Sequence, residues 1–197
     1  MYCAIGEIVL QCIKGENMRV FVALDLPQKT KDNLERSANE FKSVSVGGNF
    51  TPKENYHLTL HFLGEVAPSD LTFIQSAMDG VRDLPAPELA VSQFTVLRAS
   101  DVVCAKIRQC AALTALHDEL GERLEKLGFV VEHRAYRPHV TLIRKKNFAL
   151  PWAEVTKSVN VYNKPFNACE LTLYESVFTS SGVTYSELYK VTLKPQE

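Results

Sequence analysis

The chain has 197 residues, of which 46% are hydrophobic and 23% charged, and its formal net charge is −1. This length fits one domain that buries a substantial core, and the charge balance excludes a generally basic coat for nucleic acid. We expect an N-terminal extension over 1–17 and a single domain over 18–197, built as two lobes around a cleft.

Cysteine usage and hydropathy predict the compartment. The five cysteines are odd in number and include no Cys-x-x-Cys pair, which is typical of a reduced protein without disulfides or structural zinc. No apolar run approaches the roughly 20 residues of a membrane span. Glu7, Gln11 and Lys14 interrupt the apolar N-terminus, which therefore does not resemble a secretion signal. We expect a cytoplasmic monomer that does not associate with membranes.

In the first half of the chain, alternating β-branched stretches predict strands and apolar residues at helical spacing predict helices. The first predicted strand is ended by Pro27, and Gly47 and Gly48 are expected to break the chain after the first helix. In chain order we predict a strand at 18–26, a helix at 28–44, a strand at 56–63, a helix capped by Ser69, and strands at 88–97 and 102–107.

The second half repeats the same order of elements about 80 residues on. We predict a leucine-rich helix at 110–127, a strand at 137–143, a short helix at 152–159, and strands at 168–179 and 184–193. The repetition indicates a weak internal duplication into two α+β lobes. A doubly wound sheet fits less well, because no glycine-rich phosphate loop follows any predicted strand.

One four-residue pattern occurs once in each half, as His57-Leu58-Thr59-Leu60 and as His139-Val140-Thr141-Leu142. Residues two apart on a strand share a face, so each copy presents one imidazole and one hydroxyl on the same side. A single copy would more often be a buried histidine beside an ordinary strand threonine. Two copies in matching strands argue against that alternative.

The residue types of the two motifs suit phosphoester chemistry. Histidine has an ordinary pKa near 6.5, so one neutral and one protonated ring can coexist near neutral pH. One ring can deprotonate an attacking water while the other protonates the departing sugar oxygen. The two threonines would hold the phosphoryl oxygens for in-line attack. The motifs therefore predict a two-histidine enzyme that acts on a phosphoester.

The other histidines are weaker candidates. His61 shares a face with His57 under strict alternation, and two histidines four residues apart chelate zinc on a helix. On a strand four residues span about 13 Å, too far for one ion, so a metal site is not expected. We interpret His61 as a cleft-edge or surface residue. His117 lies in the leucine-rich helix and His133 in a loop, and both are interpreted as structural.

Arg144 is the ambiguous basic residue. Strict alternation places it on the core face with Leu142, where an unpaired arginine is costly. Either the strand ends near Ile143 or a bulge redirects Arg144 to the cleft, where it would contact phosphate. The remaining basic residues near the second motif are interpreted as a solvated rim: Arg134, Arg137, Lys145 and Lys146. Phe50 and Tyr56 could stack a base, but core positions are the commoner outcome.

Two stretches, 55–66 and 137–144, together with the opening 18–27 and the closing 171–188, resemble the two-histidine (2H) phosphoesterase superfamily. Within it the likeness is best to the LigT/ThpR-type RNA 2′,3′-cyclic phosphodiesterases, and it covers about residues 18–193. The resemblance implies an α+β, bilobal LigT-like fold of two antiparallel sheets facing across a central cleft, with helices on the outside. It also implies neither a metal nor a nucleotide cofactor.

The resemblance further implies hydrolysis of a terminal 2′,3′-cyclic phosphate, on RNA ends or nucleotides, to a 2′-phosphate. By motif position His57 would be the proton donor to the leaving 3′ oxygen and His139 the base that activates water. Thr59, Thr141 and Arg144 would bind the phosphoryl oxygens. The sequence departs from the family at Phe50, where a tryptophan is common, and over 92–106, which lacks the usual prolines. These departures concern base preference.

Two alternatives remain open from the sequence. The same acid–base pair could join RNA ends through a 2′,5′ linkage by microscopic reversibility, although hydrolysis should dominate in dilute water. The two His-x-Thr pairs could also hold a phosphate without turnover, in a nucleotide- or RNA-binding module. Complete retention of both histidines and both threonines favours an enzyme over such a module.

Overall fold

The structure is a computed structural model that describes residues 16–97, 101–180 and 182–195. Of the expected 1–17 extension, only the last two residues lie within these ranges. No helix in the described ranges is long and apolar enough to cross a bilayer.

The first of two main sheets carries the first motif. It is antiparallel, with β3 at one edge and the two C-terminal strands at the other. In spatial order its strands are β10 (Gly182–Thr192), β9 (Glu170–Thr179), β1 (Met18–Asp25) and β3 (His57–Val66).

The second main sheet carries the second motif and is also antiparallel, but here the motif strand is internal. In spatial order its strands are β2 (Ser45–Phe50), β7 (His139–Phe148), β6 (Val102–Ile107) and β5 (Val91–Leu97). A two-stranded ladder pairs β4 (Glu88–Leu89) with β8 (Phe166–Asn167).

Two 16-residue helices, α1 (Gln28–Ser43) and α3 (Ala111–Lys126), are the largest helical elements in the described ranges. The shorter ones are α2 (Leu71–Asp79) and α4 (Trp152–Val155). Each long helix precedes one motif strand in sequence but packs against the sheet of the other motif. Helix α1 contacts β2 and β7, whereas α3 contacts β3 and α2. Each main sheet is therefore contacted by the long helix that precedes the motif strand of the other sheet.

The expected α+β fold with two antiparallel sheets is confirmed. The predicted strand 88–97 is divided into β4 and β5, which lie in different sheets, β7 continues to Phe148, and the sequence does not predict β8. Two further differences concern a pair of glycines and a helix cap. Gly47 and Gly48 do not break the chain, because they lie inside β2, where the pairing with β7 is irregular. A Cβ on Gly48, which has φ +130°, would lie 3.1 Å from Cγ2 of Ile143. Glycine thus permits close approach of the two strands here.

The second difference concerns the start of α2. Ser69 does not cap this helix, since a 3₁₀ turn over Pro68–Asp70 precedes Leu71 and the Ser69 hydroxyl donates to the Asp70 carboxylate instead. Proline favours the first position of such a turn because its φ is already fixed near the helical value.

The hydrophobic core lies between the sheets and their helices. Alternate residues of the strands are fully buried, among them Val20, Val22 and Leu24 of β1. The leucine stripe of α3 is also buried: Leu113, Leu116, Leu120 and Leu124. The strands β3 and β7 contact each other, so the two motifs lie close together.

Candidate active site

Each motif strand contains an extra residue immediately after its threonine. The pairing of β3 with β1 is regular from His57 to Thr59, skips Leu60 and resumes at His61. This is a β-bulge, in which two residues of one strand oppose a single partner.

The second motif has the same irregularity at the same position. Pairing of β7 with β6 is regular from His139 to Thr141, skips Leu142 and resumes at Ile143. As a result, Leu142 and Ile143 are both fully buried although they are consecutive. Alternation then resumes one residue out of step, so Arg144 shares the face of His139 and Thr141. Of the two possibilities for Arg144, the structure supports the bulge, because β7 continues to Phe148.

The bulge in β3 corrects the expectation for His61, which is neither at the cleft edge nor on the surface. Its side chain is 4% exposed and lies on the core face, opposite to His57. Its Nε2 donates to the carbonyl oxygen of His117 at 2.8 Å, and burial lowers its pKa. The ring rests on Gly121 of α3, where a Cβ would lie 2.9 Å from Cε1 of His61.

The His57 ring is neutral near pH 7, and hydrogen bonds at both of its nitrogens fix its orientation. Its Nδ1 lies 2.8 Å from the carbonyl oxygen of Asn55, which can only accept, so Nδ1 carries the proton. Its Nε2 therefore has the lone pair and accepts a hydrogen bond from the Thr59 hydroxyl at 3.0 Å. Phe21 and Tyr185 enclose the ring, with centroid distances of 4.8 and 5.0 Å.

This enclosure controls the acidity of His57. Burial lowers the pKa of the ring to about 4, against an ordinary value of 6.5. The Asn55 hydrogen bond and the negative charge of Asp25 oppose the shift, while the positive charges of Lys31 and Arg144 add to it. Arg144 lies on the other sheet, so its effect on His57 indicates that the two motifs share one electrostatic environment.

Asp25 is the strand partner of His57 and is itself held in a polar network. It accepts hydrogen bonds from the Tyr174 hydroxyl and, at 3.0 Å, from the Thr172 hydroxyl. The ammonium of Lys190 lies 3.3 Å from the same carboxylate. A carboxylate so fixed beside an imidazole stabilises the protonated ring when a proton arrives.

His139 has the same orienting contact as His57. Its Nδ1 lies 2.8 Å from the carbonyl oxygen of Arg137, so Nδ1 carries a proton, and whenever the ring is neutral the lone pair is on Nε2. Its strand partner is Lys106, where His57 has Asp25. Thr141 lies opposite Cys104, a thiol whose burial raises its pKa to about 11 and which is therefore not a nucleophile.

Tyr136 connects the two motifs, and the sequence analysis missed it. It lies three residues before His139, and its hydroxyl donates to the carbonyl oxygen of Thr59 at 3.0 Å. Its ring stacks on His117 at a centroid distance of 4.0 Å, and His117 stacks on His61 at 4.4 Å. His117 thus has the structural role expected of it, as part of a column of three rings behind β3. Apart from nearness to the second motif, no sequence signal indicates the contact.

The remaining candidates lie away from the cleft or in the core. Tyr56 is 1% exposed and belongs to the hydrophobic core, and the partly buried Phe50 packs against this core. His133 has an 82% exposed side chain beside Glu125. In the basic rim, Arg134 pairs with Glu132 and Lys146 with Asp101, while Arg137 and Lys145 are exposed.

Comparison with known proteins identifies the family of this chain. A family model described as LigT like phosphoesterase matches residues 24–103. A relative in Archaeoglobus fulgidus, named RNA 2′,3′-cyclic phosphodiesterase, is 30% identical over 179 residues, which cover 87% of this chain and 98% of the relative. The chain belongs to the LigT-like phosphoesterase family. A Thermotoga maritima relative of the same name is 26% identical over 88% of this chain and 94% of its own length.

Solved structures of the family have the same fold as this LigT-like phosphoesterase. The Escherichia coli LigT in apo form has a TM-score of 0.76 and 24% identity, covering 91% of this chain and 99% of that one. The same protein complexed with 3′-AMP has a TM-score of 0.75 and 25% identity, covering 90% and 99%.

The lowered pKa of His57 predicts a pH-dependent stability. The unfolded chain binds a proton on this ring near pH 6.5 and the folded protein only near pH 4, so stability falls as the pH is lowered between these values. The expected loss is on the order of 3 kcal/mol. The free energy of unfolding, measured with urea at several values from pH 7 to pH 4, should depend less steeply on pH in His57→Gln than in wild type. The prediction would be wrong if the unfolding free energy of His57→Gln depended on pH as steeply as that of wild type. It would also be wrong if His133→Gln, which replaces an exposed histidine, reduced this pH dependence equally.

Tyr136→Phe removes the bond to Thr59 and keeps the ring stack. We expect a stability loss of about 1 kcal/mol and a fall in kcat of about tenfold, because the first motif is no longer tied to the second. Tyr189→Phe is the matched control, since its hydroxyl bonds to Asp79. Urea unfolding should give similar stability losses for the two variants. Steady-state kinetics should give a lower kcat for Tyr136→Phe alone. Equal kcat for the two variants would show that Tyr136 only supports the fold.

Proposed function

We propose that this LigT-like phosphoesterase hydrolyses the terminal 2′,3′-cyclic phosphate of RNA to a 2′-phosphate, using two histidines and no metal or cofactor. The observation that carries the proposal is the pair of His-x-Thr motifs on two bulged strands that contact each other. Several relatives support the substrate class, because they are named RNA 2′,3′-cyclic phosphodiesterase over most of this chain.

His139 acts as the general base in this proposal. Its proton on Nδ1 is held by the Arg137 carbonyl, so the lone pair of Nε2 is available to an attacking water. As the water oxygen bonds to phosphorus, Nε2 takes its proton. Such proton transfer contributes typically about 10²- to 10⁴-fold to the rate.

His57 acts as the general acid. In the absence of substrate its Nε2 is occupied by the Thr59 hydroxyl and the ring is neutral. An anionic cyclic phosphate that enters the cleft favours a proton on Nε2, and Asp25 stabilises the resulting charge. As the bond from phosphorus to the 3′ oxygen breaks, that proton passes to the 3′ oxygen. The product carries a 2′-phosphate and a 3′-hydroxyl, and exchange with solvent resets both rings.

Thr59, Thr141 and Arg144 hold the phosphoryl oxygens. The threonines lie on the same strand face as their histidines, and the bulge at Leu142 turns Arg144 to that face. A guanidinium can donate two parallel hydrogen bonds to a phosphate, which fixes its orientation as well as its charge.

The proposal also includes the cellular compartment and the oligomeric state. Within the described residues Cys104, Cys110 and Cys169 are free thiols, which suits a reducing environment. We propose that the enzyme works in the cytoplasm as a monomer on RNA ends or on cyclic nucleotides.

Turnover of a 2′,3′-cyclic nucleotide in EDTA tests the proposal. We expect a 2′-phosphate product from wild type, a loss of at least about 10²-fold in kcat for His57→Asn and for His139→Asn, and normal turnover for His133→Asn. Circular dichroism should establish that each variant folds.

Three outcomes would contradict the proposed function. Activity that needs added zinc would overturn the metal-free mechanism. Retained activity in either motif variant would remove that histidine from the mechanism. Binding of the nucleotide without any turnover would make the two motifs a phosphate clamp.

A further inference from the structure

Beside the cleft, one cationic side chain lies between two exposed aromatic rings. The guanidinium carbon of Arg19 is 4.9 Å from the ring centre of Phe62 and 5.5 Å from that of Phe178. Phe62 is 48% exposed and Phe178 is 68% exposed, so large parts of both rings face solvent. We call these three residues the aromatic platform.

The platform continues the face of the first sheet that bears His57. Phe62 follows the bulge of β3 and is the strand partner of Phe21, whose ring packs on His57. Arg19 lies two residues from Phe21 on the same face of β1, about 7 Å along the strand. Phe178 lies four residues from Tyr174, which pairs with Phe21, so it shares this face.

Phe62 occupies in the first motif the position that Arg144 occupies in the second. Both are the second residue after the bulged leucine, and both are turned to the cleft face by that bulge. The two halves of the cleft therefore differ in chemistry. One side offers a guanidinium for phosphate, and the other offers two exposed aromatic rings with a guanidinium between them.

Exposed aromatic rings and a guanidinium plane are the groups on which unpaired bases stack. Arg19 has the exposed acidic residue Glu65 as its strand partner, so the surface around the platform is not purely cationic. Recognition of a base by stacking therefore suits the platform better than recognition of a phosphate.

We propose that the aromatic platform binds the base of a nucleotide upstream of the cyclic phosphate. This inference rests on the proposed function, and it makes the preferred substrate an oligonucleotide end rather than a cyclic mononucleotide. Stacking accepts every base, so the preference depends on strand length and little on sequence. It also depends little on salt, in contrast to binding through phosphate contacts.

The test compares kcat/KM for a 2′,3′-cyclic mononucleotide with kcat/KM for a tetranucleotide that ends in the same cyclic nucleotide. We expect wild type to prefer the tetranucleotide by about tenfold, at both low and moderate salt. Phe62→Ala and Phe178→Ala should each lower this ratio several-fold, and Phe178→Trp should keep it. Phe73→Ala is the matched control, because Phe73 is a 51% exposed phenylalanine on helix α2, and it should keep the wild-type ratio.

Three results would overturn the platform: a ratio near one in wild type, a wild-type ratio in both platform variants, or an equal loss in Phe73→Ala. The affinities of a 2′-phosphate tetranucleotide and a nucleoside 2′-phosphate, measured by calorimetry, provide a second ratio that needs no turnover. If neither cyclic substrate is hydrolysed, the proposed function fails, while this second ratio still decides whether the platform binds RNA. Binding of a protein to the same rings would leave both ratios near one.

Discussion

A β-bulge directly after the threonine of each motif determines which side chains share a face. The bulges at Leu60 and Leu142 shift the alternation by one residue, so the second residue after each bulge lies on the same face as the histidine and threonine before it. The residue directly after each bulge is buried in the core. Without the bulges, alternation would place Arg144 in the core and His61 in the cleft. The position of both bulges is the same relative to the motif, so the likeness of the two motifs extends to this irregularity.

The two halves then diverge in their surroundings. His57 is enclosed by aromatic rings, has Asp25 as its partner and has a lowered pKa. His139 lies in a more open position with Lys106 as its partner. In the free protein this enclosure leaves His57 neutral, so its proposed role as the acid depends on the anionic phosphate and on Asp25, which both favour a proton on its ring. Tyr136 ties the two motif strands together, because it lies in the loop before the second motif and its hydroxyl bonds to the backbone of the first motif at Thr59.

Much of this molecule could be predicted from its sequence. Alternation and helical spacing predict the strands and long helices because their apolar residues face one core, and the paired motifs place His57, Thr59, His139 and Thr141 on strands. The bulges could not be predicted, since a bulge depends on the partner strand and Leu60 and Leu142 look like ordinary alternating residues. The error for His61 follows from the bulge.

The packing of α1 against the sheet of the second motif could not be predicted either, because the sequence order of α1 and β3 does not reveal which sheet the helix covers. Tyr136 was missed for a similar reason. Its contact with Thr59 joins residues 77 apart, through a loop whose pattern carries no periodic signal. The glycines of β2 were interpreted as a break, although they allow a close strand pairing with Ile143.

The mechanism proposed above requires that the two motifs hold one phosphate between them. This can be measured by NMR, by following the ring nitrogens of both histidines while a nucleoside 2′-phosphate is added. We expect the Nε2 signals of His57 and His139 to shift together, with one Kd and a stoichiometry of one ligand per chain. A shift of one ring alone, or two separate binding curves, would contradict it.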